Sequence, residues 1–473
     1  MPDVRYVCLS DLHLGEEDSL LTNIDPGDGK VAPNSPSPVL RALAACIEEL
    51  LRHNATGARR PTLILAGDVL ELALAASNQV VQVFAQFAAH VLPQFGEVIY
   101  VPGNHDHHVW EIARETQYLN YLRRLGSVEK LEPAWHTTKV FMDLAGKDRL
   151  VHGSLTEMAR TVARQDIEVF TAYPDFGLLG ESDRCAVFSH GHFIEPLYHL
   201  MSTATSLVFA DHVVPRDVDD LEAENFAWID FFWSAMGRQR KVGDATERIY
   251  EASSDQGSLQ ELTDGLAKNL AHKYNLLVPW SDWLEERTYR WLLRQALAKR
   301  AAGGQERQRR GEPLSEAAEK GLRWYVDGAL GTQARKERSP LPAGLTLVFG
   351  HTHKPFEKVM DFEPWRGARV LNTGGWVVDT VEPRPEQGGA AVLIDEDLNA
   401  VSLRFYQEGQ YAVRVEEPAP AGAGHSVLFE HLNSIVRPGE SPWSSFGETA
   451  AAEAGLRMER FHKRLEEIAR ATP

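Results

Sequence analysis

Val98-Ile99-Tyr100-Val101, a short apolar run rich in β-branched residues, leads directly into Pro102-Gly103-Asn104-His105-Asp106. The same arrangement, a strand-like run ending in acidic, amide or imidazole side chains, recurs along the chain. Val7-Cys8-Leu9 precedes Asp11-Leu12-His13, and Thr62 to Ala66 precedes Gly67-Asp68. Ala186-Val187-Phe188 precedes Ser189-His190-Gly191-His192, and Thr346 to Phe349 precedes Gly350-His351-Thr352-His353. Between the early runs lie helical stretches, Val39 to Arg52 with Leu40, Leu43, Ile47 and Leu50 on one stripe, and Asn78 to Leu92. Strands alternating with helices predict an α/β fold, in which ligands gather at the carboxyl ends of the strands. Lys139 to Met142, Arg149 to Val151, Val370 to Asn372, Ala390 to Ile394 and Val401 to Tyr406 also read as strands, the later ones pairing antiparallel.

With 473 residues the chain has room for about two to four domains and a large core. Its formal charge of −18 repels a phosphate backbone at long range, so general nucleic-acid binding is not expected. Cys8, Cys46 and Cys185 are too few for a disulfide framework and read as reduced core thiols. The opening residues lack a basic, apolar leader pattern, and no apolar run reaches the ~18 residues of a membrane span. A cytoplasmic protein is expected.

From Phe193 to Gly344 the periodicity becomes helical throughout, for example at Leu259, Leu262, Leu266, Leu270, Tyr274 and Leu277, and also over Leu221 to Met236, Trp283 to Leu297 and Leu322 to Leu330. This insertion is far longer than an ordinary connection. It enters just after His190-Gly191-His192 and returns just before Gly350-His351-Thr352-His353, so both ends lie beside the candidate site. It reads either as a packing module or as a cap selecting substrate. Three regions are expected: 1–192 with 345–415, the insertion 193–344, and a C-terminal extension 416–473 ending in a short amphipathic helix marked by Leu456, Phe461, Leu465 and Ile468. Glu16 to Pro38 and Pro418 to Gly424, rich in turn-forming residues, are expected to be mobile loops.

Imidazole, carboxylate and amide donors suit borderline and hard divalent ions, and two ions about 3.5–4 Å apart need a shared carboxylate. No thiolate joins these clusters, which argues against structural zinc there. The order D-x-H, G-D, G-N-H-D, H-G, G-H-x-H resembles the calcineurin-like metallophosphoesterase superfamily over Asp11 to His353, with Asn372-Thr373-Gly374-Gly375 similar to its closing strand and turn. The resemblance implies a two-sheet β-sandwich flanked by helices. It implies that Asp11, His13 and His353 hold one metal, that Asn104, His190 and His351 hold a second, and that Asp68 bridges them. His105 would act as the acid at the leaving group, oriented by Asp106. Two divalent cations follow, drawn from Mn, Fe, Zn and Mg with Mn favoured, and hydrolysis by a hydroxide bridging them without a covalent phosphoenzyme. His152, after Val151, is an alternative to His190; the better core strand and fuller motif favour His190. His107, His108 and His192 are left between substrate contact and a supporting or solvated role.

Ser10 to Gly15 and Gly67 to Glu71 resemble the branch containing UDP-2,3-diacylglucosamine hydrolase. That branch is expected to carry Arg in place of His105 and a smaller insertion, so its substrate does not transfer. Protein phosphatases of the superfamily carry Asp-Arg-Gly after the bridging Asp, where this chain has Leu70-Glu71-Leu72. The expected activity is hydrolysis of a phosphomonoester, phosphodiester or pyrophosphate in a small molecule or lipid. A nuclease remains as an alternative through a basic stretch from Arg287 to Arg310, which reads equally as a solvated helix face; Asp217, Asp219, Asp220, Glu222 and Glu224 are its expected ion-pair partners. A non-catalytic scaffold of the same fold should have lost a ligand or His105, and none is missing.

Overall fold

The structure is a computed structural model. It describes residues 2–471 apart from 28, 56–58, 127–136, 144–149, 165, 209–212, 231–305, 309 and 419–423. In chain order the first half contains β1 (Tyr6–Leu9), α1 (Pro38–Leu51), β2 (Thr62–Ala66), α2 (Ser77–His90), β3 (Glu97–Val101), α3 (His108–Arg124), α4 (Gly153–Ala163), β4 (Val169–Thr171), β5 (Asp175–Leu179) and β6 (Arg184–Ser189). The described part of the insertion carries α5 (Leu200–Val208), α6 (Val218–Ile229), α7 (Glu316–Tyr325), a π-helical turn (Val326–Leu330) and α8 (Gly331–Glu337). The chain continues through β7 (Gly344–Phe349), β8 (Phe356–Met360), β9 (Ala368–Asn372), β10 (Gly388–Ile394), β11 (Ala400–Gln407), β12 (Arg414–Glu416), α9 (Val427–Ile435) and α10 (Trp443–Ala471).

Two mixed sheets form, ordered β12-β11-β10-β1-β2-β3-β4 and β5-β6-β7-β9-β8. β1 to β4 run parallel, and so do β6, β7 and β9; the remaining neighbours are antiparallel. Side-chain alternation on each strand explains the layering. Cys8, Ile64, Ala66, Ile99 and Val101 face Ala186, Phe188, Val348 and Leu371 between the sheets. Val7, Leu9, Leu63, Leu65 and Val98 turn the other way, against apolar residues of α1, α2, α4, α9 and α10. Strands buried on both faces need no polar alternation, which is why the central ones read as continuous apolar runs. On the outer face of the second sheet, Val187, Leu347, Phe349 and Val370 pack with Phe193, Val218, Leu221, Leu322 and Leu330 of the insertion.

Several expectations change. Lys139 to Met142 is not a strand: Val140 accepts one bond from Gly177 N at 2.7 Å, while the N–H groups of Val140 and Phe141 donate to the Glu337 carboxylate, each at 2.9 Å. Of Arg149 to Val151, only Val151 is paired, in a bridge to Phe170, and Arg149 lies outside the described residues. The C-terminal helix is 29 residues long. Its buried stripe is Trp443, Phe446, Ala450, Ala454 and Met458, and the alanines concealed it from a search for bulky apolar residues. It covers the first sheet together with α9, in one core with β10 and β11. The expected loop Glu16 to Pro38 is largely clamped. The buried Arg457 donates to Ser19 O at 3.1 Å and Thr22 O at 2.8 Å, and Arg464 pairs with Glu17 and Asp18. Most of the other loop, at 419–423, lies outside the described residues, as do the proposed helical stripes at Leu259–Leu277 and Trp283–Leu297.

Asp175 on β5 is buried and accepts a 2.6 Å hydrogen bond from Tyr325 Oη of α7, joining sheet and insertion. Burial raises its carboxyl from 3.8 to about 7, although hydrogen bonds from Tyr325 and Ser189 oppose the rise. The folded state therefore holds this proton where the unfolded chain releases it, and the associated stability is lost as pH rises from about 4 through 7. Asp175→Asn should flatten that part of the profile; urea unfolding at pH 4.5 and pH 8 should show the parent losing up to roughly 4 kcal/mol more than the variant.

Candidate metal centre

The turns that follow β1, β2, β3, β6 and β7 meet at one end of the sandwich. Asp11 N donates to Gly67 O and His13 N to Asp68 O, both at 2.9 Å, so the first two turns are fastened backbone to backbone. His351 N donates to both Asp11 carboxylate oxygens at 3.0 Å, bringing the turn after β7 onto the turn after β1. This convergence requires unusual backbone. Asp11, His13, Asp68, His351 and His353 all have positive φ, between 45° and 68°, a region that non-glycine residues enter at a cost. Glycines make room for the side chains. A Cβ at Gly103 would lie 2.2 Å from Asp68 Oδ1, and one at Gly67 would lie 2.4 Å from His190 Nδ1.

Two groups of donors result. Asp11, His13 and His353 form one, and Asp68, His190 and His351 the other, with ligand atoms inside each group within 4.8 Å of one another. Asn104 joins the second group, its Oδ1 lying 3.0 Å from His190 Nε2. Asp68 stands between the groups, with Oδ2 at 3.2 Å from His190 Nε2 and 4.0 Å from His13 Nε2. The ring nitrogens face one another closely: His13 Nε2 and His353 Nε2 are 3.2 Å apart, as are His190 Nε2 and His351 Nδ1. Nitrogen and carboxylate donors aimed at common points fit divalent cations, so the donor set passes that chemical test. The structure brings every expected ligand, Asp11, His13, Asp68, Asn104, His190, His351 and His353, to this place. His152 is elsewhere, capping α4 with Nδ1 accepting from Leu155 N at 3.2 Å.

Burial and mutual charge shift these groups strongly. Burial pushes Asp11 up to about 7, with the neighbouring Asp68 charge adding to the rise. For Asp68 burial acts in the same direction, but the His190 and His105 rings overcome it and hold the carboxyl well below its usual range. Burial drives His353 well below its normal value, helped by the nearby Arg307 guanidinium.

His105 lies in the same cleft, yet Asp106 takes a different part from the one expected of it. Its carboxylate accepts from Gly103 N at 2.6 Å, Val69 N at 2.8 Å, Leu70 N at 3.2 Å and the Tyr100 hydroxyl, tying the turn after β3 to the turn after β2. The carboxylate beside the imidazole is Glu71. Its oxygens lie 2.9 Å from His105 Nδ1 and 2.6 Å from His13 Nδ1, and it also accepts from Ala73 N and Leu74 N. A carboxylate on Nδ1 fixes the ring and leaves Nε2 facing the cleft. Burial favours neutral His105, but Glu71 and Asp68 overcome it and raise the ring to about 10.

Sequence reasoning also missed the contribution of the insertion. Glu195, Tyr198 and Arg307 line the cleft with His13, Asp68, Asn104, His105, His351 and His353. Arg307 reaches Asp379 at 2.7 Å, and the Tyr198 ring meets His351 edge to face. The one available signal for Arg307 was its place in the basic stretch, most of which lies outside the described residues. The acidic group opposite has other partners: Asp217 caps α6 and pairs with Lys336, and Glu222 faces His107.

A sandwich of two mixed sheets with imidazole, carboxylate and amide side chains gathered at its strand ends is compatible with a metal-dependent phosphoester hydrolase. In the family comparison, residues 4–216 match the model for calcineurin-like phosphoesterase. That match supports phosphoester hydrolysis, with a divalent metal centre and a phosphorylated substrate as what the matched family implies. No curated protein matched. Among solved structures the chain is similar to a dimetal phosphatase from Danio rerio, at 12% identity over 89% of this chain and 100% of that one, with a TM-score of 0.29. It is also similar to the phosphopantetheinyl hydrolase of Mycobacterium tuberculosis, at 14% identity over 79% of this chain and 90% of that one, with a TM-score of 0.23. Among the described residues no helix is long and apolar enough to cross a membrane.

The close approach at Gly67, which also has φ +88°, gives a direct test of how tightly the centre is packed. Gly67→Ala should lower stability by roughly 2 kcal/mol or more, because backbone strain and collision with the His190 ring add. Gly311→Ala, with φ +106° but nothing within 4 Å of the added carbon, should show the strain alone. Equal losses in urea unfolding would mean that His190 yields freely.

Proposed function

We propose that the protein hydrolyses a phosphoester or pyrophosphate of a small molecule or lipid at a dinuclear centre. Asp11, His13 and His353 hold one divalent cation, Asn104, His190 and His351 the other, and Asp68 serves both. The observation that carries this reading is the position of Asp68 Oδ2, between His190 Nε2 at 3.2 Å and His13 Nε2 at 4.0 Å. Two cations, when bound, screen the phosphoryl oxygens and lower the pKa of a water molecule toward neutrality.

The remaining steps belong to the side chains of this chain. Glu71 holds His105 through Nδ1 and keeps the ring protonated, so Nε2–H can donate to the oxygen that departs from phosphorus. Glu71 also holds His13, so one carboxylate aligns a ligand and the acid together. Arg307, at the mouth beside His353, offers a guanidinium to phosphoryl oxygens. Glu195 and Tyr198 narrow the opening on the side of His351, which favours a substrate that presents a terminal or slender phosphoryl group.

The division into 1–192 with 345–415, 193–344 and 416–473 is part of this reading, with the insertion acting as the selective cap. Glu195, Tyr198 and Arg307 in the cleft support the cap; the shared core of α9, α10, β10 and β11 makes the C-terminal extension a covering layer of the catalytic sheet. The −18 charge speaks for a small phosphorylated substrate over nucleic acid. Manganese is the proposed metal, and the reduced, buried cysteines suit a cytoplasmic setting.

Protein reconstituted with Mn²⁺ should hydrolyse chromogenic phosphomonoesters or phosphodiesters and lose that activity to a chelator. His105→Ala should reduce turnover by about 10²-fold or more while metal content stays that of the parent. Asp68→Asn should deplete both cations together in elemental analysis. A fully active His105→Ala would remove the proposed acid, and undiminished metal in Asp68→Asn would remove the bridge.

Arg307→Ala should raise KM more than it lowers kcat, as expected of a residue that binds the phosphoryl group before and during the reaction alike. A pure kcat effect would place Arg307 in the chemical step instead.

A further inference from the structure

A second set of metal-binding side chains lies where α3 meets α6. His107 caps α3 and His108 is its first residue, with Glu111 one turn on; Asp230 follows the last residue of α6. Asp230 Oδ1 is 3.5 Å from His107 Nδ1 and 3.7 Å from His108 Nδ1, and His108 Nδ1 is 2.7 Å from Glu111 Oε2. The donor atoms of His108, Glu111 and Asp230 all lie within 4.8 Å of one another. Four ligands at zinc bond lengths of about 2.0–2.2 Å stand roughly 3.3–3.6 Å apart at the corners of a tetrahedron, which is close to the separations Asp230 makes with both imidazoles.

Several polar groups here are buried without a well-formed hydrogen bond among the described residues. His107 is fully buried, and among the described residues its ring nitrogens have long ion-pair contacts to Glu222 and Asp230, at 3.4 and 3.5 Å, without a well-formed hydrogen bond; Asp230 Oδ1 likewise makes ion-pair contacts alone. Buried polar atoms are nearly always paired, so such a concentration calls for a missing partner. Glu222, also fully buried and with neither oxygen hydrogen-bonded, faces the other nitrogen of His107 at 3.4 Å. A carboxylate behind an imidazole is the arrangement that orients a metal-binding histidine. The neighbouring cation, Arg114, sits over the Phe226 ring at 4.6 Å from its centroid. These residues are distinct from the donors of the catalytic cleft. Tyr173 intervenes, its ring edge-on to His107 at 4.9 Å and its hydroxyl on His192 Nε2 at 3.0 Å.

We propose that His108, Glu111 and Asp230, with His107 beside Asp230, form a site for a borderline divalent cation of the Zn²⁺ class, fastening the insertion to the helix that follows the Asn104-His105 turn. Its role is structural, since its donors join α3 to α6 and are separate from those of the catalytic cleft. The site does not depend on the dinuclear reading of the catalytic cleft.

The test is zinc content by elemental analysis of the full-length protein after zinc loading and desalting, with circular dichroism to verify folding. His108→Ala and Glu111→Gln, both at partly exposed positions, should each retain one zinc equivalent fewer than the parent, whatever the parent's total. The rise in thermal midpoint on zinc addition should shrink in both. If either variant fails to fold, the other carries the measurement. Folded variants with the parent's zinc content would overturn the proposal and leave a buried ion-pair cluster only.

Discussion

Five donor-bearing residues in the left-handed region of backbone space are the constraint around which the rest of the molecule is arranged. Each positive φ at Asp11, His13, Asp68, His351 and His353 carries a penalty on the order of 1 kcal/mol or more. No local sequence preference selects them. They are maintained because the turns bind one another, through Asp11 N to Gly67 O, His13 N to Asp68 O and His351 N to the Asp11 carboxylate, and because rigid strands fix both ends. Large cores on each sheet face are therefore part of the site's energetics: they compensate for a strained, charge-dense surface that favours binding a cation over relaxing.

Two buried carboxylates distribute this constraint differently. Asp106 gathers backbone N–H groups from two turns, so it sets where Asp68 and Asn104 stand relative to one another. Glu71 gathers imidazoles, so it sets the proton positions on His13 and His105. Burial raises Asp106, with the Asp68 charge in the same direction. By contrast Glu71 falls to about 2, because the two rings outweigh the burial that opposes them. The same chemical group thus serves as backbone clamp in one place and as a fixed negative charge in the other.

The cluster of Asp, Asn and His side chains was legible in the sequence because each follows a strand, and strands are the features that apolar periodicity marks well. Glu71 was not legible, since its meaning depends on how the turn after Asp68 folds back beneath two rings from other turns. Asp106 misled for the related reason that adjacency to His105 in sequence says nothing of direction on a tight turn. Edge strands were also obscure. β8 carries the charged pair Glu357-Lys358 at its centre, with Lys358 exposed, and β5 contains Gly177 against Phe141, so neither resembles a buried apolar run. The insertion was recognised as helical, but only the folded chain brings Glu195, Tyr198 and Arg307 to the cleft.

The clasp of Arg457 on Ser19 and Thr22 joins positions separated by 438 and 435 residues. The segment it grips begins just after His13, and the neighbour of β1 across the sheet, β10, is likewise distant in sequence. Long-range closure of this kind is slow, because the chain must give up its freedom before the contact forms. During biosynthesis the earliest donors therefore emerge long before the segments that secure them. The segment beside their turn gains its Arg457 contacts only when the last helix docks, so the donor cluster is completed late in folding.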